Sequence, residues 1–318
     1  HAPDALLPGT AARIFTGAVI PPGADCVVAQ EDCRRSDEGV EVAITPATGQ
    51  HIRPRGQDIA KGAVVVARGR KLGAADLGLL ASVGVPACRV AKRLKVALMS
   101  TGDELREPGE ALGTAQIYNS NRPMLAALIS AMGGELIDLG IIPDTAEATA
   151  EALAQAAELA DVVISSGGVS AGEEDHVKAQ IERLGELKVW KLAIKPGKPL
   201  AYGRIAGVPF FGLPGNPVSS FVTFCLLVRP YLLAMQGISD PMPDVVQATV
   251  DFEWLKPGSR QEYLRVRLKG GVLSLHPQQS SGALSSVAWA NALAIVPPGT
   301  TFRRGEVIDC LSFAELGA

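Results

Sequence analysis

The sequence predicts an α/β fold, with a central, mostly parallel α/β domain, β-rich domains before it and a small β-barrel domain after it. Two patterns predict this fold. From Lys92 to Met235, short apolar runs without polar alternation take turns with helix-like stretches, as in βαβ units whose strands are buried on both faces. After Pro243 the apolar residues alternate with period two between Gly and Pro turns, which is typical of a small barrel or sandwich.

Composition shifts divide the chain into four regions. We expect an N-terminal β-rich domain at 1–50, a mixed segment of an elongated region at 51–92, the α/β domain at 93–238 and the C-terminal β domain at 239–318. Short strands are expected between Thr10 and about Thr45 and within 62–69. A helix is expected in AADLGLLASVG, another after Asn121 as its N-cap, and a single strand in VWKLAI.

Bulk properties narrow the function classes. The chain has 318 residues, 47% hydrophobic and 20% charged, with a net charge of −3 and no basic cluster, so nucleic-acid binding is not expected. No apolar run reaches the ~18–20 residues of a membrane span. Five cysteines without a CxxC motif predict reduced thiols and a cytoplasmic location. The sequence begins with His1 in a Pro-rich stretch, so we expect a segment before it.

Polar and glycine-rich stretches follow the predicted strands of the α/β domain. Because ligands bind at the carboxyl ends of strands in open α/β sheets, five such loops predict a shared site. The loops that follow KVALM, ELIDLG, DVVIS, KLAI and FFGL begin at Ser100, Ile141, Ser166, Lys195 and Pro214.

Two of these loops suit a phosphate group. In the loop 214–219, Gly215 lets the backbone approach a ligand, Asn216 is placed to cap a helix and Pro217 suits its first turn, so free N–H groups would face an anion. Lys195 and Lys198 are each followed by a proline on a short loop, which places two ammonium groups near one spot. The alternative is that PGNP is only a tight turn and that the lysines are solvated.

Carboxylates at neighbouring strand ends predict a magnesium site. Asp103, Glu104, Asp144 and Asp175 follow three different strands, and acids that face phosphate usually hold Mg²⁺ between them. The alternative is that Asp103 and Asp175 only cap turns or helices.

One motif points to another class of enzyme. Gly168–Gly172 reads G-x-S-x-G after a strand, as in the nucleophile elbow of α/β-hydrolases. His176 is too close in sequence to serve as a triad base, and His276 lies in the C-terminal domain, so the hydrolase is disfavoured. The chain also has neither a Walker A motif nor GxGxxG.

The motifs IFTGAVIPPGAD, STGDEL, ISSGGVSAGEEDH, KLAIKPGKP and GLPGNPVS, taken in order, resemble the MoeA family of molybdopterin molybdenumtransferases, which includes gephyrin E domains. The resemblance implies a molybdopterin-binding type of α/β domain and a homodimer. It implies insertion of molybdate into the dithiolene of adenylyl-molybdopterin, with Mg²⁺ and release of AMP. The molybdopterin adenylyltransferase is then an expected partner. That adenylyltransferase activity itself, or a gephyrin-like scaffold, stays as the alternative function.

The resemblance also assigns roles. Glu104, Asp144 and Asp175 match the functional acids, Lys195 and Lys198 the basic pair, and Thr16 a position that reaches the partner subunit's cleft. The substrate-binding set is completed by residues of the strand-end loops and of the C-terminal domain: Ser166, Gly167, Gly168, Pro214, Gly215, Asn216, Pro217, Ser219, Arg260 and Ser281. The family has an essential Asp before the FTGA motif, in a segment that precedes His1.

Overall fold

The computed structural model describes residues 3–168 and 176–318. The chain forms two compact units, His1–Ala67 with Ala74–Gly84, and Arg68–Gly73 with Val85–Ala318. The four predicted domain boundaries remain a prediction. Strand–helix alternation and a C-terminal barrel are both present in the second unit, so the predicted fold class is confirmed.

The first unit has less regular structure than its sequence suggests. It holds a 3₁₀ turn (Gln30–Asp32), a hairpin of β1 (Cys33–Ser36) and β2 (Gly39–Val42), and the predicted helix α1 (Ala74–Ser82). Strands predicted at 13–29 and 62–69 do not form in the described part of this unit. These stretches are mostly exposed and have no neighbouring strand to take their backbone hydrogen bonds, and propensity alone does not make a strand.

The α/β domain contains a six-stranded sheet of order β6-β3-β7-β11-β10-β8. Its first four strands are parallel, whereas β10 runs antiparallel to both β11 and β8. The strands of this part of the chain, including the short pair β4–β5 and the strand β9 outside the sheet, are β3 (Lys95–Thr101), β4 (Leu105–Arg106), β5 (Ile117–Tyr118), β6 (Glu135–Ile142), β7 (Val162–Ser166), β8 (Gly185–Lys191), β9 (Ile194–Lys195), β10 (Pro199–Ile205) and β11 (Val208–Leu213).

Helices cover both faces of this sheet. Along β3, Leu98 faces a core shared with α2 and α5, while Met99 faces a core shared with α3 and α4, which explains why the strand sequence does not alternate. Thr145 caps α3, because its hydroxyl accepts a hydrogen bond from the Ala148 N–H at 3.2 Å. The helices are α2 (Asn121–Ala131), α3 (Ala146–Leu159), α4 (His176–Leu184), α5 (Pro217–Thr223) and α6 (Arg229–Met235), with a π-helical turn at Phe224–Val228.

The segment Pro217–Met235 is one continuous helix that is long and apolar enough to cross a membrane by length and composition, contrary to the expectation from the sequence. However, 67% of its most apolar window is buried inside the protein, as in the core helix of a globular domain.

The C-terminal region forms a closed five-stranded barrel. Its strands follow the order β14-β12-β16-β15-β13, and β13 also pairs with β14. The elements are β12 (Val246–Val250), β13 (Gln261–Lys269), β14 (Val272–Leu275), α7 (Leu284–Trp289), β15 (Ala292–Val296), β16 (Val307–Ser312) and α8 (Phe313–Leu316).

One predicted strand of the α/β sheet was wrong. VWKLAI is not continuous: β8 ends at Lys191, and the following strand β9 pairs in parallel with β13 of the barrel. The reason is tertiary, since Ile194 and Lys195 find backbone partners in the barrel edge, which sequence patterns do not reveal.

Candidate active site

The predicted loops meet at one edge of the α/β sheet. The parallel strands β3, β6, β7 and β11 all end there. Because β8 runs in the same direction as β11 and β10 begins at Pro199 opposite Lys191, the loop 192–198 emerges at the same edge. The structure thus gathers the five loops as expected.

Two glycines bring the end of β7 against the end of β3. Gly167 and Gly168 adopt φ values of 92° and 65°, which favour glycine. A Cβ on Gly167 would lie 2.6 Å from the carbonyl oxygen of Thr101, and one on Gly168 would lie 2.5 Å from Cγ2 of Val177. Side chains are therefore excluded here. The rest of this loop, which contains Asp175 and the G-x-S-x-G motif after its first glycine, lies outside the described residues.

Asn121 links two of the loops. It is the first residue of α2 and not its N-cap, which is a correction; the side-chain acceptor at this helix start is Asn119 Oδ1, which receives the Arg122 N–H. The buried Asn121 amide donates to Ser166 Oγ at 3.0 Å and to the Gly215 carbonyl at 2.7 Å. One side chain thus joins the ends of β7 and β11. The sequence did not predict this link between two loops, because an asparagine suits both a helix cap and a hydrogen bond between loops.

The loop 214–219 starts the long helix as predicted, with Asn216 at the N-cap and Pro217 at the first position, although the Asn216 side chain makes no capping hydrogen bond. Ser219 is buried on the first turn. The first-turn N–H groups are not all free for an anion, since the N–H of Val218 donates to the Ser281 carbonyl at 3.0 Å. This contact brings Ser281 of the barrel region to the site.

Lys195 and Lys198 occupy different settings. Lys195 lies in β9, and its Nζ is 3.1 Å from the Glu262 Oε2 of β13. Its peptide bond to Pro196 is cis, and Gly197, with φ of 112°, packs against Thr223 of α5. Lys198 is placed by its carbonyl, which accepts from the Leu192 N–H at 2.8 Å. Both lysines therefore border the crevice, one held by the barrel and one by the loop itself.

The acidic set is only partly assembled among the described residues. The backbone N–H of Asp144 donates to Asp103 Oδ1 at 3.3 Å, which brings two strand ends together. The Glu104 carboxylate folds over Gly102, where a Cβ would lie 2.5 Å from its Oε2. Within 3–168 and 176–318 there is no group of three His, Cys, Asp or Glu side chains that could hold a metal. Asp175, the fourth acid, is outside those ranges.

A buried arginine was missed by the sequence analysis. Arg265, on β13, is the largest fully buried side chain of the second unit; it donates to Ser286 Oγ at 3.2 Å, to the Tyr263 carbonyl at 3.0 Å and to the Ser280 carbonyl at 3.3 Å. Burial lowers the pKa of Arg265 to about 10, while Glu262 acts in the opposite direction.

By contrast, Arg260, which the resemblance singled out, donates to the Ile194 carbonyl at 3.0 Å and fixes the backbone of β9. Arg265 donates to the loop that carries Ser281, and because its side chain is buried, its role in the structure is to hold that loop in place. The sequence signal that could have indicated a buried arginine is its place within the apolar stretch YLRV.

Thr16 belongs to the first unit, where it is exposed at a turn. Its predicted contact with a partner subunit remains a prediction.

An α/β domain with this crevice and a C-terminal barrel defines a class of molybdopterin-binding proteins, and comparisons with known proteins agree. Three family models match along the chain: the MoeA N-terminal region (domains I and II) at 1–84, a probable molybdopterin binding domain at 97–234 and the MoeA C-terminal region (domain IV) at 247–313.

Named relatives match as well. A molybdopterin molybdenumtransferase of Haemophilus influenzae is 45% identical over 72% of this chain and 57% of its own length, and one of Nostoc is 38% identical over 93% and 70%. The chain therefore spans less than two thirds of the first relative and somewhat more of the second. The crystal structure of a molybdopterin biosynthesis MoeA protein from Pyrococcus horikoshii is 34% identical and covers 98% of this chain and 78% of its own, with a TM-score of 0.79. The chain belongs to the MoeA family of molybdopterin molybdenumtransferases, a family of molybdenum cofactor biosynthesis.

Proposed function

We propose that this chain transfers molybdate to the dithiolene of adenylyl-molybdopterin and releases AMP. The observation that carries the proposal is the crevice itself: one sheet edge joins the loops at 166–168 and 214–219 through Asn121, and the barrel adds Ser281, on a loop that Arg265 holds in place. Main-chain donors and cations suit the phosphates of the substrate and a tetrahedral dianion.

The chain's own groups divide the work in this proposal. Lys195 and Lys198 neutralise charge on the phosphates, and the loop 214–219 holds the pterin side of the substrate. Gly167 and Gly168 let the end of β7 pack closely against the end of β3 and against α4, because a Cβ at either position would meet Thr101 or Val177. Fixed charges that face a reacting phosphate lower the barrier when they are held in place beforehand.

The residues also fit Mg²⁺. Its preferred ligands are carboxylate oxygens, and Asp103 and Asp144 are already joined through a backbone hydrogen bond at the mouth of the crevice. Asp103, Glu104, Asp144 and Asp175 would hold the ion. When bound, Mg²⁺ supplies charge neutralisation at the phosphate that leaves with AMP.

The wider setting follows from the family. We propose a cytoplasmic homodimer that receives its substrate from the molybdopterin adenylyltransferase. Exposed apolar side chains in the first unit support a subunit contact, notably Phe15 at 74% and Val19 at 70% exposure.

The test measures AMP released from adenylyl-molybdopterin by the purified chain with molybdate and Mg²⁺. Wild type is expected to release AMP, and a chelator that removes Mg²⁺ is expected to stop the release. Lys198→Ala and Asp175→Asn should each abolish AMP release, while circular dichroism should show that they keep the wild-type fold. Lys188→Ala is the matched control, since Lys188 forms an exposed ion pair with Glu186 on the sheet. Wild type without AMP release, or full turnover by Lys198→Ala, would refute the proposal.

A further inference from the structure

Glu262 is a buried carboxylate that pairs with a cation of the crevice. Its side chain is only 6% exposed, whereas that of its partner Lys195 is 52% exposed. Burial lowers the pKa of Arg265, three residues along the same strand, and the charge of Glu262 partly opposes that shift. The sequence analysis gave this residue no role.

The local structure leaves Glu262 little freedom. Its backbone is in register with Lys195 across the β9–β13 pairing, and the neighbouring Gln261 N–H donates to the Ala193 carbonyl at 3.1 Å. Gly258 makes room for the carboxylate, since a Cβ there would lie 2.3 Å from Glu262 Oε1. The carboxylate is thus fixed by the barrel, and Lys195 is fixed by the carboxylate.

The contacts continue beyond this pair. Arg265 donates to the carbonyl of Ser280, and the next carbonyl, that of Ser281, accepts the N–H of Val218 at the start of the long helix. Strand β13 therefore carries both Glu262, which holds Lys195, and Arg265, which holds the barrel loop that meets the helix N-terminus.

Stability alone does not account for the pair. An ion pair with a half-exposed lysine stabilises a protein by at most about 1 kcal/mol, whereas burying a carboxylate costs several kcal/mol. A neutral side chain would serve the fold as well. A buried charge at position 262 therefore has a reason if it fixes the position of the Lys195 ammonium group.

We propose that Glu262 is a positioning residue, which fixes the Lys195 ammonium group toward the anionic groups of the substrate. This inference rests on the proposed function for its catalytic consequence. Its structural content, that Glu262 holds Lys195, does not depend on that function.

A double-mutant cycle on AMP release tests the catalytic consequence. Glu262→Gln keeps the shape and removes the charge, and it is expected to lower kcat/KM by about 10- to 100-fold, as for a displaced catalytic group. Glu262→Asp should recover part of the loss. In Lys195→Met, adding Glu262→Gln should cost little more, because both changes remove one interaction. Glu186→Gln, which breaks an exposed Glu–Lys pair on the sheet, is the matched control and should retain wild-type kinetics.

A second measurement does not need activity. After reductive methylation of the lysines with ¹³C, the Lys195 resonance, assigned by its absence in Lys195→Met, should shift in Glu262→Gln and not in Glu186→Gln. Additive losses in the cycle, wild-type kinetics in Glu262→Gln or an unmoved Lys195 resonance would each overturn the inference. Wild type that releases no AMP while the resonance shifts would refute the proposed function and leave the hold of Glu262 on Lys195 standing.

Discussion

Removal of the Asn121 side chain should disorder the crevice loops and lower activity by more than the loss of global stability explains. The amide is 8% exposed and donates two hydrogen bonds, to Ser166 Oγ and to the Gly215 carbonyl. A buried hydrogen bond contributes about 1 kcal/mol net, and an acceptor left without a donor adds about another, so Asn121→Ala should lose about 2–3 kcal/mol. If loop order accounts for about 2 kcal/mol of this, kcat/KM for AMP release falls by roughly 30-fold.

Two measurements check this prediction: urea unfolding followed by circular dichroism, and the kinetics of AMP release. Asn291→Ala is the matched control, because Asn291 also makes two hydrogen bonds, to the Leu268 N–H and carbonyl, on the exposed side of the barrel. We expect that control to lose some stability and to keep its kcat/KM. The reasoning is refuted if Asn121→Ala retains wild-type kinetics, or if both variants lose activity in proportion to stability.

Two further predictions concern the walls of the crevice. Gly168→Ala should lower the free energy of unfolding by more than about 2 kcal/mol, since its Cβ would clash with Val177 and the backbone there is left-handed. Gly207→Ala is the control, at φ 85° with open space around it, and should show only the backbone cost of about 1–2 kcal/mol. Equal losses in urea unfolding would contradict this prediction. For Arg265→Gln, the difference in unfolding free energy from wild type should stay constant from pH 6 to 9, because Arg265, with a pKa of about 10, is charged in both states there. Above about pH 10 the folded chain releases this proton before the unfolded chain does, so the unfolding free energy of wild type should rise relative to that of the variant. A difference in unfolding free energy that changes near pH 7 would exclude the lowered pKa of Arg265 as its cause.

The strands and helices of the α/β domain could be predicted because their signals are local. β3, β7 and the long helix from Pro217 each carry a buried apolar run, and the stop at Gly133 and the proline at 217 mark helix ends. The strand ends then locate the crevice by topology alone, so its loops were predictable without any side-chain geometry.

What failed depends on contacts distant in sequence. Nothing near Ile194 indicates that it pairs with the barrel, and Asn121 looks like a cap until Gly215 is found 94 residues away. The same holds for Arg265, whose partners Ser280 and Ser286 lie on a loop and a helix 15 and 21 residues further along the chain. In the first unit, β-branched and apolar residues form few strands, because strand propensity alone does not form a strand without a neighbouring strand to pair with.

The pairing of β9 with β13 has a mechanical consequence. The chain passes from the α/β domain to the barrel through the segment after Met235, but the strand Ile194–Lys195 and the Val218–Ser281 hydrogen bond tie the two together again at the crevice. Two bodies that are joined at one point can swing, whereas bodies joined at three points cannot do so without breaking a joint. A rotation of the barrel against the α/β domain would therefore have to break the β9–β13 pairing or the Val218–Ser281 hydrogen bond.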